Sequence, residues 1–150
     1  MELTTARFGN IDIDDSHIIT MRAPILGFAN LNRYVLIDKK EEAAFWWLQS
    51  VDDGAVVFVV VNPFLIKLNY KPELQEDDIK LLEIDDQADV LLLGVVTIGS
   101  TPPEISVNVR APIVVNWKKK LGKQIVLDDK SLDVQYRLEV NIKGPKPVNK

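Results

Sequence analysis

The side chain best suited to general acid–base chemistry near neutral pH is His17, the only histidine in the chain. A metal site built from several histidines is therefore excluded, and a serine–histidine–aspartate arrangement would have to use this residue. His17 stands in the sequence DDSHII at the start of a predicted strand, where a surface position is the simpler interpretation. An enzyme that uses His17 with a neighbouring carboxylate is an alternative, and it requires both groups to converge in a pocket.

Adjacent aspartates occur at several places, among them Asp14-Asp15, Asp52-Asp53, Asp77-Asp78 and Asp85-Asp86. Neighbouring side chains on a strand point to opposite faces, so such pairs suit turns better than the paired carboxylates of a glycosidase. The chain has no cysteine, which excludes a thiol nucleophile and a thiolate metal site. No phosphate loop, dinucleotide fingerprint or nucleophile elbow occurs. These residues leave an enzyme as an unsupported alternative, and we assign no catalytic residue, cofactor or metal site to the chain.

Negative charge is concentrated between residues 73 and 89. Eight acidic residues stand there against Lys80 alone, a local charge of −7 in a chain whose net charge is −4. A solvated helix face is the simpler interpretation. The functional alternative is an acidic surface that speeds the association of a basic partner in a salt-dependent way.

Aromatic side chains cluster in FWWLQS, where an exposed tryptophan would be a natural interface anchor. One basic cluster lies beside Trp117 and consists of Lys118, Lys119, Lys120 and Lys123. It leaves open an alternative function, an OB-like barrel that binds a small ligand or single-stranded RNA. The sequence pI of about 5.0 argues against nucleic acid, because affinity for phosphates depends on lysine and arginine.

The elements that must position these residues are mostly short strands, separated by turn signals. AVVFVVV is apolar on both faces and predicts a central strand, and Gly94 in DVLLLGVVTI predicts a bend at a barrel corner. Residues 76–85 and EEAAFWWLQS predict two short helices. The predicted fold is mainly β, a small antiparallel β-barrel-like or sandwich domain with one or two short helices.

The segment SVNVRAPIVVN alternates apolar and polar side chains up to Pro112. Period two places Ser106, Asn108 and Arg110 on one face, and Ser106 and Arg110 are expected to be exposed. Pro112 cannot donate to a strand ladder, so it predicts a sheet edge or a bulge.

With 150 residues, the chain fits one domain over 1–150, and the Pro/Lys-rich end 141–150 predicts a flexible tail. The longest apolar run, AVVFVVV, is far shorter than a membrane helix. The N-terminal sequence has neither the basic start nor the apolar core of a secretion signal. We expect a cytoplasmic protein without a membrane partner.

Nine stretches along the chain carry a resemblance to a known family. In order, they are RFGNIDI, HIITM, LGF, FWWLQS, VVNP, NYKPEL, VTI, SVNVRAPIVVN and KQIVL. Together they resemble the flagellar assembly factor FliW family from Thr4 to Leu138. The most specific stretches are WLQS at 47–50 and Asn108 with Ala111-Pro112-Ile113 and Asn116. One loop departs from the family pattern. The family usually has Gly-Leu-Pro-Gly-Phe followed by an acid, and this chain has PILGF followed by Ala29.

The resemblance implies a non-enzymatic bacterial regulator with a small antiparallel barrel-like fold. Family members bind flagellin and, when not occupied by it, bind the translational repressor CsrA and prevent it from silencing flagellin messenger RNA. The partners it implies are thus two proteins, with no direct nucleic acid contact.

Most matching positions are explained by a structural role. Gly9, Gly27 and Pro112 are expected to fix the backbone conformation. The side chains of Gln49, Asn108 and Asn116 are expected to hydrogen-bond to strand ends or loop carbonyls. The side chains expected to contact partners are Phe28, Trp46, Asp77, Asp78, Glu83 and Arg110.

Overall fold

The computed structural model describes residues 1–37, 45–66, 69–98, 105–141 and 144–147. Its strands, in chain order, are β1 (Glu2–Thr5), β2 (Gly9–Asp12), β3 (Ile19–Met21), β4 (Arg33–Ile37), β5 (Phe45–Ser50), β6 (Val57–Val61), β7 (Val90–Ile98), β8 (Ile105–Asn116), β9 (Leu121–Gln124), β10 (Tyr136–Asn141) and β11 (Gly144–Pro147). One α-helix, α1 (Glu76–Leu81), and short 3-10 turns at Asp15–His17, Pro63–Leu65 and Gln87–Asp89 complete the described elements. The prediction of a mainly β domain is confirmed.

Strands β3 to β9 close into a barrel. Around the ring the order is β8, β7, β6, β5, β4, β3, β9 and back to β8. The pairs are antiparallel except β3 with β9, which run parallel with Thr20 opposite Leu121. Closure gives each of these strands two neighbours, so the barrel rather than the sandwich is the form that this chain takes.

A hairpin of β10 and β11 extends the sheet from the first part of β8. Its outer strand carries prolines at 145 and 147, which have no N–H to donate and so weaken the free edge as a template for a further strand. The expected flexibility of 141–150 stays a prediction, although Gly144–Pro147 pairs with β10.

Strand β6 separates two hydrophobic clusters. Phe58 and Val60 belong to the cluster inside the barrel, whereas Val59 and Val61 face an outer cluster that also contains Ile66, Tyr70 and Leu82. Burying a side chain of this kind stabilises a fold by roughly 1.5–3 kcal/mol. The prediction that AVVFVVV forms a central strand is confirmed.

The N-terminal hairpin packs on the outside of the barrel. Leu3 and Ile13 contact Val35 and Val51 in a third cluster. Gly9 has φ +68°, the left-handed conformation that lets β2 begin after a tight turn. Gly9 and Asn10 lie in β2, opposite Thr5 and Thr4, and the turn of the β1–β2 hairpin precedes them at residues 6–8.

Two helix predictions need correction. FWWLQS is strand β5, because β4 and β6 pair with its two edges and its alternate side chains face opposite clusters. Residues 41–44 lie outside the described part of the chain. The helix predicted over 76–85 ends at Leu81, since Glu83 adopts φ +54° and the Asn116 side chain binds the carbonyls of Leu82 and Glu83.

Strand β8 contains a bulge where it exchanges neighbours. Asn108 pairs with Val95 and Ile113 with Leu93, so residues 109–112 lie opposite Gly94 alone. On its other edge β8 pairs with β10 before the bulge and with β9 after it. Pro112 lies within this bulge, as its sequence context predicts.

Side chains satisfy the backbone of the bulge. Asn108 Oδ1 accepts hydrogen bonds from the N–H groups of Arg110 and Ala111, at 3.1 and 2.9 Å. The Tyr70 hydroxyl donates to Val109 O at 2.6 Å, and burial raises the pKa of Tyr70 to about 12. The backbone groups that the bulge removes from the regular ladder thus still have hydrogen-bond partners.

We expect Gly94→Ala to destabilise the barrel, because a Cβ at this position would lie 2.5 Å from Val107 Cγ1. Overpacking of this kind should lower the free energy of unfolding by about 1–3 kcal/mol. Urea denaturation measures the change. Thr97→Ala, at an exposed position of the same strand, is the control, and equal stability of the two variants would contradict the role of Gly94.

Candidate functional site

The residues predicted to contact partners are distributed over the barrel rather than gathered on one face. Trp46 stands at the start of β5, whereas Phe28 lies in the loop that connects the end of β3 to the start of β4. Because β4 and β5 are antiparallel neighbours, these two positions lie at opposite ends of the barrel. One short partner segment therefore cannot contact both.

The Trp46 end is an apolar depression, which we call the rim. His17, Leu36, Trp46 and Trp117 line about 240 Å³ there. Each of them lies where a strand begins or ends at this side of the barrel, before β3, in β4, in β5 or after β8. An adjoining cavity of about 140 Å³ shares Trp46 and is lined by Trp46, Val60, Val61, Asn62, Leu65, Leu91 and Leu93.

The opposite end is filled by its own loop. Ile25 is buried in the inner cluster, and the Phe28 ring packs edge to face on Phe58 with centroids 5.0 Å apart. Gly27 has φ +88°, and Leu26 N–H donates to the Gln124 side chain at 3.0 Å. Phe28 is thus half-buried as a plug, and its proposed contact with a partner stays a prediction.

Two polar residues of β8 differ in exposure from their predicted state. Ser106 is buried because Arg137 of β10 pairs with it, so the expectation of an exposed Ser106 is wrong. Arg110 is half-buried rather than exposed, and its Nε atom has no hydrogen-bond partner in the described residues. Its role as a partner contact stays a prediction.

Gln49 is fully buried and holds the turn after β5. Its Nε2 atom donates to the carbonyls of Ser50, Gly54 and Val56 at 3.0 to 3.2 Å. Gly54 O also accepts from Ala6 N, which ties the N-terminal hairpin to the same turn. This amide therefore organises a junction of two elements.

The acidic segment docks on the barrel through ion pairs. Asp78, only 7% exposed, accepts a hydrogen bond from Lys123 Nζ on β9. Glu83 lies within ion-pair distance of Arg22, at 2.8 Å, and of Lys119, at 3.4 Å. These pairs partly neutralise the charge that the sequence concentrates between residues 73 and 89.

The predicted acidic surface is consequently smaller than the sequence indicates. Asp78 and Glu83 are occupied by cations of the chain itself, whereas Asp77 is exposed and makes no ion pair within the described residues. Asp86 caps the turn that follows, since its carboxylate accepts from Ala88 N. Among the three acids predicted to contact a partner, Asp77 is the one that remains available.

The lysines of the basic cluster beside Trp117 also contact groups of the chain itself. Lys119 pairs with Glu83 and Asp85, Lys123 pairs with Asp78, and Lys120 Nζ lies 3.9 Å from the centroid of the Trp117 ring. Lys118 alone of the four has no such partner in the part of the chain that the structure describes. This arrangement gives little support to the alternative of a single-stranded RNA site.

The alternative of an enzyme based on His17 also lacks a convergent site. The imidazole is exposed and makes no hydrogen bond or ion pair to any described residue. Asp14 instead accepts from Ser16, whose backbone and hydroxyl hydrogen bonds hold the pKa of that carboxyl below its usual value. The described residues contain no group of three side chains suited to hold a metal ion.

Sequence reasoning did not identify Asn62, Leu65 or Leu91 as site residues. The Asn62-Pro63 pair does signal a helical turn, because Asn62 Oδ1 caps it by accepting from Phe64 N. The position of Leu91 across the cavity depends on strand register, for which the sequence carries no local signal.

We expect Asp78→Asn to lower the free energy of unfolding by about 1–3 kcal/mol, because Lys123 would be left partly buried without its counter-ion. Asp77→Asn is a matched control at the adjacent exposed position and should stay within about 0.5 kcal/mol of the original. Denaturant unfolding compares the two variants. Equal effects would show that the Asp78 pair does not anchor α1.

The described residues define a small seven-stranded β-barrel protein with an apolar rim at one end and an ion-paired helix on its side. No helix in these residues is long and apolar enough to cross a membrane. A family model described as FliW protein matches residues 2–138. The chain belongs to the FliW family.

Relatives and a solved structure agree with this assignment. A protein of Syntrophus aciditrophicus named flagellar assembly factor FliW is 45% identical over 141 residues, covering 94% of this chain and 89% of the relative. Its namesake in Thermosipho africanus is 38% identical, covering 88% and 92%. A crystal structure of the flagellar assembly factor FliW superimposes with a TM-score of 0.83 at 31% identity, covering 91% of this chain and 96% of that one. The family predicted from the sequence motifs is confirmed.

Proposed function

We propose that this chain is a cytoplasmic flagellar assembly factor that regulates by binding proteins. In this proposal it binds flagellin and, when free of flagellin, binds a CsrA-type translational repressor and prevents it from silencing flagellin synthesis. The output is an exchange of partners, set by their relative affinities and concentrations.

The observation that carries the proposal is the family match over 2–138, together with relatives named flagellar assembly factor FliW that share up to 45% identity. The barrel adds support of a second kind. It has an apolar rim with two tryptophans, and apolar and aromatic depressions are typical of protein-binding sites. Flagellin is assigned to such an apolar surface, and the basic repressor to the acidic side that includes Asp77.

Binding of the purified chain to flagellin and to the repressor tests the proposal directly. We expect both complexes in pull-downs, with the repressor complex weakening from low to moderate salt because exposed charges are screened. Adding flagellin to the repressor complex should release the repressor. A folded chain that retains neither protein would contradict the proposed function.

Charge reversal at Asp77 tests the acidic surface separately. We expect Asp77→Lys to slow association with the repressor several-fold at low salt, since steering depends on local complementary charge. Glu2→Lys on the N-terminal hairpin makes the same change in net charge and is the matched control. Association rates measured by stopped flow should differ between the two variants. The same rate for both would remove Asp77 from the interface.

A further inference from the structure

The cavity beside Trp46 arises from a gap in the barrel wall. β6 ends at Val61, whose register partner on β7 is Gly94, so Leu91 to Leu93 of β7 extend beyond the end of β6. The 3-10 turn Pro63–Leu65 lies against β7 at this place. The gap therefore has a fully buried floor, formed by Val60 and Leu93, and an open side.

The size of this cavity fits a single apolar side chain. Its volume is about 140 Å³, and its lining is aliphatic apart from Trp46 and Asn62. An enclosed aliphatic cavity of about 150 Å³ stays free of water and binds benzene. A group of about that size, such as a leucine side chain, therefore fits the cavity beside Trp46.

Two side-chain donors of the lining have no acceptor among the described residues. Asn62 Oδ1 accepts from Phe64 N, and the Asn62 Nδ2 group has no partner in that part of the chain. The Trp46 indole N–H also makes no hydrogen bond to a described residue. No charged side chain among the described residues lines the cavity. A complementary ligand therefore carries an apolar group next to a neutral acceptor. A leucine residue does so, because its apolar side chain lies beside its own main-chain carbonyl.

Exposed apolar side chains surround the opening. Leu65 is 70% exposed and Phe64 43%, and both lie on the turn that borders the gap. Trp117, 41% exposed, lies on the far side of Trp46 in the adjoining depression. A free small molecule held in the cavity would leave these surfaces in water, whereas a polypeptide passing across the rim would cover them.

We propose that this cavity is the anchor pocket of a docking site for flagellin, and that it takes one leucine-like side chain of that partner while Asn62 donates to a main-chain carbonyl of the same segment. Trp46 forms the wall between this pocket and the adjoining depression, which receives the next part of the segment. The inference rests on the proposed function insofar as the partner is a protein.

A titration with blocked amino acids tests the pocket itself. N-acetyl-leucine methylamide should shift the NMR signals of the Trp46 indole N–H and the Asn62 side-chain amide saturably at millimolar concentration, and N-acetyl-glycine methylamide should not. Asn62→Asp keeps the capping acceptor and removes the donor. It should weaken the leucine compound at least fivefold and leave benzene binding unchanged.

Two results would overturn the pocket. One is that the leucine compound shifts these signals no more than the glycine compound does. The other is that Asn62→Asp leaves the affinity for the leucine compound unchanged, since the carbonyl would then have no role.

A comparison of partner binding connects the pocket to function. Leu65→Glu places a charge at its lip, and Val126→Glu makes the same change at a 60% exposed position outside the cavity lining. With folding of both variants checked by circular dichroism, Leu65→Glu should weaken binding of flagellin at least tenfold, and Val126→Glu less than twofold.

The two proposals fail in different ways. If Leu65→Glu and Val126→Glu both bind flagellin as the original chain does, the docking site is refuted and the proposed function stands. If the original chain binds neither protein, the proposed function fails, and the titration with the leucine and glycine compounds decides the pocket on its own.

Discussion

The barrel depends on one constraint, that a single edge of β8 must pair with two different strands. β10 occupies this edge from Ile105 to Val107, and β9 occupies it from Ile113 onward. A regular strand would keep one neighbour along its whole length. The bulge opposite Gly94 bends β8 between the two partners, and it lets β9 reach β3 and complete the ring.

Several other features follow from this bend. Asn108 and Tyr70 bind the backbone groups that the bulge removes from the ladder, and Gly94 leaves the space that Val107 needs. Beyond the bulge, Asn116 ends β8 and binds the carbonyls of Leu82 and Glu83, which sets the end of α1. The acidic segment is therefore fixed on the barrel by the same strand that closes it.

The two ends of the barrel differ in chemistry because one is filled and the other is open. Phe28 and its loop close the end where β4 begins, and hydrogen bonding of Leu26 to Gln124 holds that loop. At the other end, Trp46 and Trp117 border unfilled apolar space. The open end therefore presents apolar side chains to unfilled space, whereas the Phe28 loop fills the other end.

The sequence by itself determined those elements and motifs that depend on residues close together along the chain. Continuous apolar runs predicted β6 and β7, Pro112 predicted a sheet edge or a bulge, and the motifs from Thr4 to Leu138 predicted the FliW family. It was wrong where a local pattern was ambiguous, since FWWLQS fits a helix and a strand equally well until two neighbouring strands pair with it.

Only the tertiary structure decided which of two adjacent aspartates, Asp77 or Asp78, is free of an ion pair within the described residues. Asp77 and Asp78 share one sequence environment, but Asp78 is occupied by Lys123, which lies 45 residues away along the chain. The cavity between Asn62 and Leu91 likewise exists because of the register between β6 and β7. Backbone preferences act over a few residues and are written in the local sequence, whereas contacts between distant residues depend on how the whole sheet closes.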